Sequence, residues 1–460
     1  MFRLALTSAL LLAVTSVLAE DVVSYRQHVW PILKRHCWGC HSAGDSQGGL
    51  KLDAFADVTR GGDSGPLFVP GKPAESLLME MVLGEPPAMP KNQPRLSVEK
   101  VELLRRWIEL GAIDDSPPGA AELAVQIPVV YKYAPAVTGV SLSPDGKWAA
   151  AACGSEAVIL DVEGETPPRR LPTESELLPL VEFSPDGTLL AVGGGAPGRY
   201  GEVRFFKVAD GSLVSTWRIG ADTLFRGGFN PNGQEIAIGG PDGAVHIVPV
   251  DGNAEPRRFE LHSDWVMDVA YTPDGQMLVS GGRDKATKVS SAATGALLRA
   301  VDASPDFVNA VAASELMAVS AGRARTLTGF EFKIALEGVQ VSGSGNGAQP
   351  VNRRDQYVRP FEGQAGEILD LAASGDRQRL AVAGAAGDVR IYQMADRQRL
   401  ALVAQIPAPA YAVALDAAGI RLAVGTKGGQ VLFYEIPSGT LLKTLSPVPV
   451  EPGPPVAATP

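Results

Sequence analysis

A four-residue turn recurs along most of this chain and limits the folds that it can adopt. The turn occurs as Ser143-Pro144-Asp145-Gly146 and again at 184–187, 230–233 and 272–275. The third residues of successive turns are 41, 46 and 42 positions apart. Each turn is preceded by alternating apolar residues and followed by a short apolar strand. A period of about 42 residues with four short strands per unit predicts a β-propeller.

Later repeats lose the turn but keep the strand pattern, at 316–322, 380–384 and 422–425. These bring the number of repeats to seven, a number that closes a propeller without strain. Either 125–131 or 441–445 can supply the outer strand of the last blade, and the sequence alone does not choose between them.

A different motif near the start of the chain, Cys37-Trp38-Gly39-Cys40-His41, predicts a covalently attached haem. Two thiols three positions apart can each add to a haem vinyl group, and the histidine after the second then lies under the iron as its proximal ligand. The chain has only 3 Cys and 5 His in 460 residues, so this spacing is a specific signal.

Two other uses of a Cys-x-x-Cys pair fit these residues less well. A closed structural zinc site needs four ligands, and Cys153 is the only other thiol in the sequence. A thioredoxin-type pair follows a strand, whereas residues 25–35 read as a helix with a break at Pro31. Cys153 itself lies in the apolar run 148–153 and is predicted to be a buried, unreactive thiol.

The iron of an electron carrier needs a second axial ligand, and Met89 is the predicted one. It lies in the segment 86–90, Pro-Pro-Ala-Met-Pro, where prolines hold a thioether in place without a regular element. Met79 and Met81 compete, but they lie in an amphipathic helical pattern whose apolar residues more simply line a haem pocket.

The first 19 residues predict an export signal that is removed. Arg3 precedes an apolar run at 4–14, and small residues lead to Ala19. The run is short for a membrane span, and no further stretch is long enough, so we expect no transmembrane segment after signal removal. The expected location is the periplasm or another exported compartment. The net charge of −10 comes without a basic stripe, so we expect no nucleic-acid partner.

Several separated segments together resemble the cytochrome c domains typical of planctomycete proteins. They are the Cys-x-x-Cys-His motif, 48–53, 69–76, Met89-Pro90 and 107–112. The resemblance implies a haem c bound through Cys37 and Cys40, with His41 and Met89 as axial ligands.

The repeats resemble the WD-repeat family, and the fourth repeat does so most clearly. His262, Ser280 and Asp284 match the family's buried hydrogen-bond network, which implies a structural role for them. Ser290-Ser291 replaces the Trp-Asp pair. The other histidine of the repeats, His246, is expected to face solvent.

The sequence thus predicts a multidomain chain in which a small all-α cytochrome c domain is followed by an all-β seven-bladed propeller. The predicted segments are a signal peptide at 1–19, the cytochrome c domain at 20–115, a linker at 116–123, the WD40-like propeller at 124–445 and a Pro-rich disordered tail at 446–460.

Two classes of function remain open at this point. In the first, one covalent haem transfers single electrons to and from a redox partner protein, and the propeller is a protein-docking scaffold. In the second, the haem feeds an oxidoreductase or peroxidase-like enzyme whose substrate site lies on the propeller or at an open haem iron. The repeats show no catalytic triad or phosphate loop, which favours the first. An insert at 341–361, with Arg353, Arg354 and Arg359, is a candidate partner contact or a solvated loop.

Overall fold

The computed structural model of the chain describes residues 23–38, 40–41, 47–52, 55–91, 94–115, 127–252, 254–301, 304–332, 358–404 and 406–451. The chain divides into two compact units, Met1–Leu123 and Ala124–Pro460. The predicted signal peptide and linker lie outside the described residues, so their boundaries stay predictions.

The first unit is helical where it is described. A π-helical turn, Tyr25–Val29, is capped by the Ser24 hydroxyl, which accepts a hydrogen bond of 2.9 Å from the Gln27 amide. Four α-helices follow, with two short 3₁₀ turns at Gln47–Gly49 and Pro73–Glu75. The helices are α1 (Trp30–His36), α2 (Phe55–Arg60), α3 (Leu77–Leu83) and α4 (Val98–Glu109).

Helix α4 shows why this unit folds as its sequence pattern indicates. Its apolar residues at helical spacing put Leu104, Trp107 and Ile108 in the core. The helix ends before Gly111, whose φ is 99°. Glycine adopts this backbone conformation readily, whereas a side chain makes it strained. The Trp107 indole nitrogen donates a 3.1 Å hydrogen bond to the Ile113 carbonyl, which fixes the chain as it leaves the helix.

The described part of the second unit forms seven antiparallel four-stranded sheets, each built from strands in sequence order. The first three blades contain β1 (Val137–Leu142), β2 (Trp148–Cys153), β3 (Glu156–Asp161), β4 (Arg169–Pro172); β5 (Leu177–Phe183), β6 (Leu189–Ala196), β7 (Tyr200–Lys207), β8 (Leu213–Ile219); β9 (Gly227–Phe229), β10 (Glu235–Gly239), β11 (Ala244–Pro249) and β12 (Arg257–Glu260).

The fourth to seventh blades follow the same order. They contain β13 (Val266–Tyr271), β14 (Met277–Gly282), β15 (Thr287–Ser291), β16 (Leu297–Val301); β17 (Val308–Ala313), β18 (Met317–Gly322), β19 (Leu327–Glu331), β20 (Val358–Pro360); β21 (Ile368–Ala373), β22 (Arg379–Gly384), β23 (Val389–Gln393), β24 (Arg399–Val403); β25 (Ala410–Leu415), β26 (Arg421–Thr426), β27 (Val431–Glu435) and β28 (Thr440–Leu445). The predicted fold class, a few helices and then a seven-bladed propeller, is confirmed.

The recurring turn joins the first and second strands of a blade through local chemistry. In the first blade the Ser143 hydroxyl donates a 2.7 Å hydrogen bond to the Asp145 carboxylate, which also accepts from the Lys147 amide. Gly146 completes the turn with a φ of 68°, in the left-handed region. These contacts explain why the turn sequence could be read directly as a strand connection.

The ring closes by packing between complete blades, because the outer strand of the last blade is β28. Residues of the first and last blades share one apolar cluster, in which Val137, Val158, Ala423 and Phe433 are buried. Of the other candidate segment, 125–131, the described residues 127–131 belong to none of the sheets, and Tyr131 forms an isolated parallel bridge with Val450.

Two expectations at the edges of the propeller were wrong in part. The disordered tail was predicted from Ser446, but Val448 is buried in the cluster shared by the first and last blades, and Val450 pairs with Tyr131. The insert was predicted to extend to Phe361, but Val358–Pro360 is strand β20, where Arg359 forms a 3.0 Å ion pair with Glu331. Arg353 and Arg354 lie outside the described residues.

Candidate functional site

The predicted haem-binding motif continues directly from helix α1. The Cys37 amide donates a 2.9 Å hydrogen bond to the Leu33 carbonyl, as in the last turn of a helix. The Cys40 amide then donates to the Cys37 carbonyl at 3.2 Å, and the His41 amide to the Trp38 carbonyl at 3.2 Å. These tight turns place both cysteines and the histidine on one short, backbone-bonded segment.

Both cysteines of the motif are free thiols. Cys40 is exposed and Cys37 is partly buried. Burial, with a contribution from Cys40, raises the pKa of the Cys37 thiol to about 12. A thioredoxin-type pair has a thiol whose pKa is depressed, so the environment of Cys37 does not favour that function.

His41 is oriented by a contact that the sequence did not reveal. Its ring nitrogen Nδ1 lies 2.9 Å from the Gln47 carbonyl oxygen, which fits a hydrogen bond donated by Nδ1–H. The Leu52 amide also donates to the His41 carbonyl at 2.9 Å. In this tautomer Nε2 keeps its lone pair for a metal, as protein metal sites usually require.

Met89 lies on the predicted proline-rich loop and is partly buried. Its amide donates a 3.0 Å hydrogen bond to the Met81 carbonyl, which ties the loop to helix α3. Met79 is buried in the core at 3% exposure, as its helical pattern indicated. Two free thiols, an oriented imidazole and a thioether on a tied loop form a donor set that fits a haem c.

An aromatic cluster makes up much of the core of this unit. The ring centroids of Tyr25 and Trp107 are 5.4 Å apart, and those of Phe68 and Trp107 are 4.9 Å apart. Trp30 and Phe55 contact Tyr25. Such pairs contribute about 0.5–1.5 kcal/mol each beyond their area burial, so the cluster stabilises the scaffold that carries the motif.

In the fourth blade the structure brings together His262, Ser280 and Asp284, as the resemblance implied. The His262 ring lies 2.9 Å from the Asp284 carboxylate through Nδ1 and 2.8 Å from the Ser280 hydroxyl through Nε2. The ring is fully buried. Ser290 and Ser291 stand where the family has the Trp-Asp pair. The buried Ser290 hydroxyl has no hydrogen-bond partner in the described part of the chain.

The expectation that His246 faces solvent was wrong. Its side chain is 6% exposed, and Nε2 lies 3.2 Å from the Asp242 carboxylate, which also accepts a 2.8 Å bond from Arg258. Strand alternation assigns a side chain to one face of a sheet, but both faces of a propeller blade pack on neighbouring blades. His246 is therefore one more buried structural histidine.

A ladder of aromatic and arginine side chains on one face of the propeller was missed by the sequence analysis. Phe225 and Trp265 stack with centroids 5.2 Å apart, and Arg283 lies 4.3 Å above the Trp265 ring and 5.1 Å from that of Phe307. The Arg323 guanidinium also lies over the Phe307 ring, 5.7 Å from its centroid. We call these five residues the aromatic ladder.

The position of the aromatic ladder follows from the blade topology. Trp265 and Phe307 come directly before β13 and β17, the first strands of their blades, and Arg283 and Arg323 come directly after the second strands. All of them therefore lie at the face opposite the recurring turns. The signal in the sequence was an aromatic residue at the same place in successive repeats.

Three side chains inside the central channel were also missed. Arg226, just before β9, contacts Asp370 of the sixth blade, and Arg377 lies at the channel end near the recurring turns. The sequence did carry one signal for Arg377, because it occupies the turn position that other repeats fill with glycine.

Comparison with known families supports both halves of this description. The family model described as Planctomycete cytochrome C matches residues 37–93, a range that begins at Cys37 and includes His41 and Met89. The family model described as WD domain, G-beta repeat matches residues 254–289, which include His262, Ser280 and Asp284. No curated protein matches the chain. In the described part of the chain, no helix is both long and apolar enough to cross a membrane.

Proposed function

We propose that this protein is an exported c-type cytochrome that carries one covalent haem for single-electron transfer, and that its propeller docks a protein partner. The observation that carries the proposal is the donor set of the first unit, in which two free thiols precede a histidine whose Nδ1 is bonded to the Gln47 carbonyl. The match of this region to the Planctomycete cytochrome C family supports the same cofactor.

Each residue of the motif has a separate role in this proposal. Cys37 and Cys40 would hold the haem through thioether bonds, and His41 and Met89 would ligate its iron. A haem ligated in this way supplies a one-electron couple whose ferrous state is favoured by the thioether. The Gln47 carbonyl keeps the His41 ring in one orientation and increases its basicity. The hydrogen bond from the Met89 amide to the Met81 carbonyl holds Met89 in place on its loop.

The exported location rests on the sequence of the first 19 residues and on the chemistry of haem attachment. The basic start, apolar run and small residues are typical of a removable export signal. Export can be tested by expression with a haem-attachment system, followed by fractionation and N-terminal sequencing of the mature protein. A mature chain that begins near Glu20 is the expected result, and a haem-free protein retaining Met1 in the cytoplasm would contradict it.

The haem assignment is tested by spectroscopy of the full chain. We expect haem to remain on the polypeptide after denaturation and the oxidised protein to show the weak far-red band of methionine-ligated ferric haem. Met89→Leu should remove that band, whereas Met81→Leu should keep it. Loss of the band in Met81→Leu instead would identify Met81, on helix α3, as the iron ligand.

The same samples distinguish the electron carrier from the alternative function, in which the haem iron has an open position. If wild-type protein lacks the far-red band and binds cyanide as fast as Met89→Leu, the electron-carrier proposal fails and a peroxidase-like or sensor function takes its place. If only the variant binds cyanide quickly, Met89 is the ligand and the carrier function stands.

The docking function of the propeller is supported by the WD-repeat match and by the aromatic ladder. Trp265 is 37% exposed, and tryptophan and arginine are the residues that most often dominate the energy of protein interfaces. Arg283, held between two rings, presents its guanidinium with little further loss of side-chain entropy.

This function can be tested with matched surface variants. Trp265→Ala should weaken binding of a periplasmic partner by at least tenfold, measured after capture on immobilised full-length protein. Leu297→Ala, which truncates a similarly exposed apolar residue on the outer strand of the same blade, should leave binding unchanged. Equal effects of the two variants would show that the aromatic ladder is not part of the binding interface.

A further inference from the structure

The central channel of the propeller contains a cavity of about 490 Å³ lined by residues from the first strands of all seven blades. This volume lies in the range of small-molecule sites. Counting two residues back from the start of each recurring turn gives seven equivalent wall positions. Glu182 occupies one, and the other six carry small residues, Ser141, Gly228, Ala270, Ala312, Ala372 and Ala414. The small residues leave the space, and Glu182 is the one charged group of this ring.

Deeper in the channel, a charged contact crosses from one side to the other. Arg226 of the third blade forms an ion pair with Asp370 of the sixth blade and donates a 3.0 Å hydrogen bond to the Tyr411 carbonyl of the seventh. Asp370 also accepts a 2.9 Å bond from the Val413 amide. Asp268 accepts 2.8 Å bonds from the amides of Val269 and Val311. These deep groups line the same cavity and already have partners.

The other end of the channel, beside the recurring turns, carries Arg377. Its φ is 57°, in the left-handed region that costs a residue other than glycine about 1 kcal/mol. The corresponding turn residues in five other blades are glycines with φ between 67° and 72°, namely Gly146, Gly187, Gly233, Gly275 and Gly419. A strained backbone position that holds a charged side chain at a cavity is a feature of functional sites.

Arg377 lines the cavity and is partly buried, and its side chain makes no hydrogen bond to another described residue. Its electrostatic partner is Glu182, which lies across the channel on the second blade. The Ser141 hydroxyl beside it accepts a 3.2 Å hydrogen bond from the Phe183 amide. The guanidinium of Arg377 therefore has hydrogen-bond donors to offer at this end of the channel, and their geometry matches the oxygens of a carboxylate or phosphate.

We propose that the turn-side end of the central channel binds a small oxyanion, a carboxylate or a phosphate group, through Arg377. The ligand occupies the space left by the small wall residues, with Arg377 on its charged oxygens and Glu182 facing it from the second blade. Nothing in this site depends on the haem, so its test is independent of the electron-transfer function.

The test is a calorimetric titration of the full-length protein at pH 6.5 with sodium succinate and, separately, with inorganic phosphate. Saturable binding of either probe is expected, and Arg377→Gly should weaken it at least tenfold. This variant introduces the residue that five other blades use, so we expect it to fold. Arg397→Gly is the matched control, because Arg397 is also left-handed, at 66°, and lies in a turn between β23 and β24 away from the cavity.

Each outcome decides the proposal. Binding of succinate alone identifies a carboxylate ligand, and binding of phosphate alone identifies a phosphate ligand. The proposal is overturned if neither probe binds saturably at up to ~20 mM, a weak limit for a specific site. It is equally overturned if Arg377→Gly binds like wild type, or if Arg397→Gly loses binding to the same extent.

Discussion

Replacing Tyr131 by phenylalanine removes one hydroxyl from the contact that joins the two ends of the propeller chain. The Tyr131 hydroxyl donates a 2.7 Å hydrogen bond to the Glu156 carboxylate, which is fully buried. Arg170 donates two further bonds of 2.6 Å to the same carboxylate. The Tyr131 backbone meanwhile pairs with Pro449 and Glu451 at 2.8 Å. The side chain thus fixes the segment against which the C-terminal residues of the propeller lie.

The expected cost follows from the charge on the acceptor. A hydrogen bond to a charged group contributes about 1.5–3 kcal/mol. Because Glu156 keeps both bonds from Arg170 in the variant, its carboxylate is not left unpaired, so we expect about 1.5 kcal/mol for Tyr131→Phe. Unfolding a propeller of roughly 320 residues has an entropy of about 0.7 kcal/mol/K near its midpoint. The melting temperature of the propeller should therefore fall by about 2 °C.

Differential scanning calorimetry of the full-length protein measures this change, with the propeller transition fitted separately from that of the first unit. Tyr133→Phe is the matched control, because this nearby tyrosine is 76% exposed. It should change stability by less than about 0.5 kcal/mol. Glu156→Gln should cost more, about 3 kcal/mol, since it leaves Arg170 without its carboxylate. Equal melting temperatures for the Tyr131 and Tyr133 variants would refute the proposed role of this contact.

Three further outcomes are expected. Burial raises the pKa of Asp284, but the hydrogen bond and charge of His262 and the amide bonds from Ala286 and Ser263 together outweigh it and hold the pKa at about 2. The stabilisation is present above about pH 4 and lost as the pH falls towards 2, so Asp284→Asn should flatten this part of a melting-temperature profile. Arg397→Gly should raise stability by about 0.5 kcal/mol in calorimetry. Burial raises the pKa of Glu182 to about 7, so succinate binding at Arg377 should weaken from pH 6.5 to 8 in wild type. It should weaken less in Glu182→Gln, where Asp268 remains, since burial also raises the pKa of that cavity residue to about 7.

The predicted site residues of the first unit came from short-range patterns. Cys37, Cys40 and His41 lie within five positions, and haem attachment requires just that spacing. Met89 was chosen for the prolines around it. The Gln47 carbonyl that orients His41 was not predicted, because a backbone oxygen has no signature in the sequence. The ligand roles themselves stay predictions until the spectra described above are measured.

The sequence by itself determined the repeating unit of the propeller. The turn from Ser143 to Gly146 is held by bonds within five residues, and the strands beside it alternate apolar residues, so both are encoded locally. This local code was sufficient to predict seven blades and their order. It was also sufficient to predict helix α4 and the burial of Cys153, which is 1% exposed.

Tertiary structure alone decided how the ring closes and what its interior contains. Strand β28 completes the last blade, Arg226 meets Asp370 across 144 positions of sequence, and His246 is buried by neighbouring strands. The physical reason is the same in each case. Both faces of a blade are covered by other blades, and the channel is shared by all seven, so the partners of these residues depend on the closed ring and not on any pattern within one repeat.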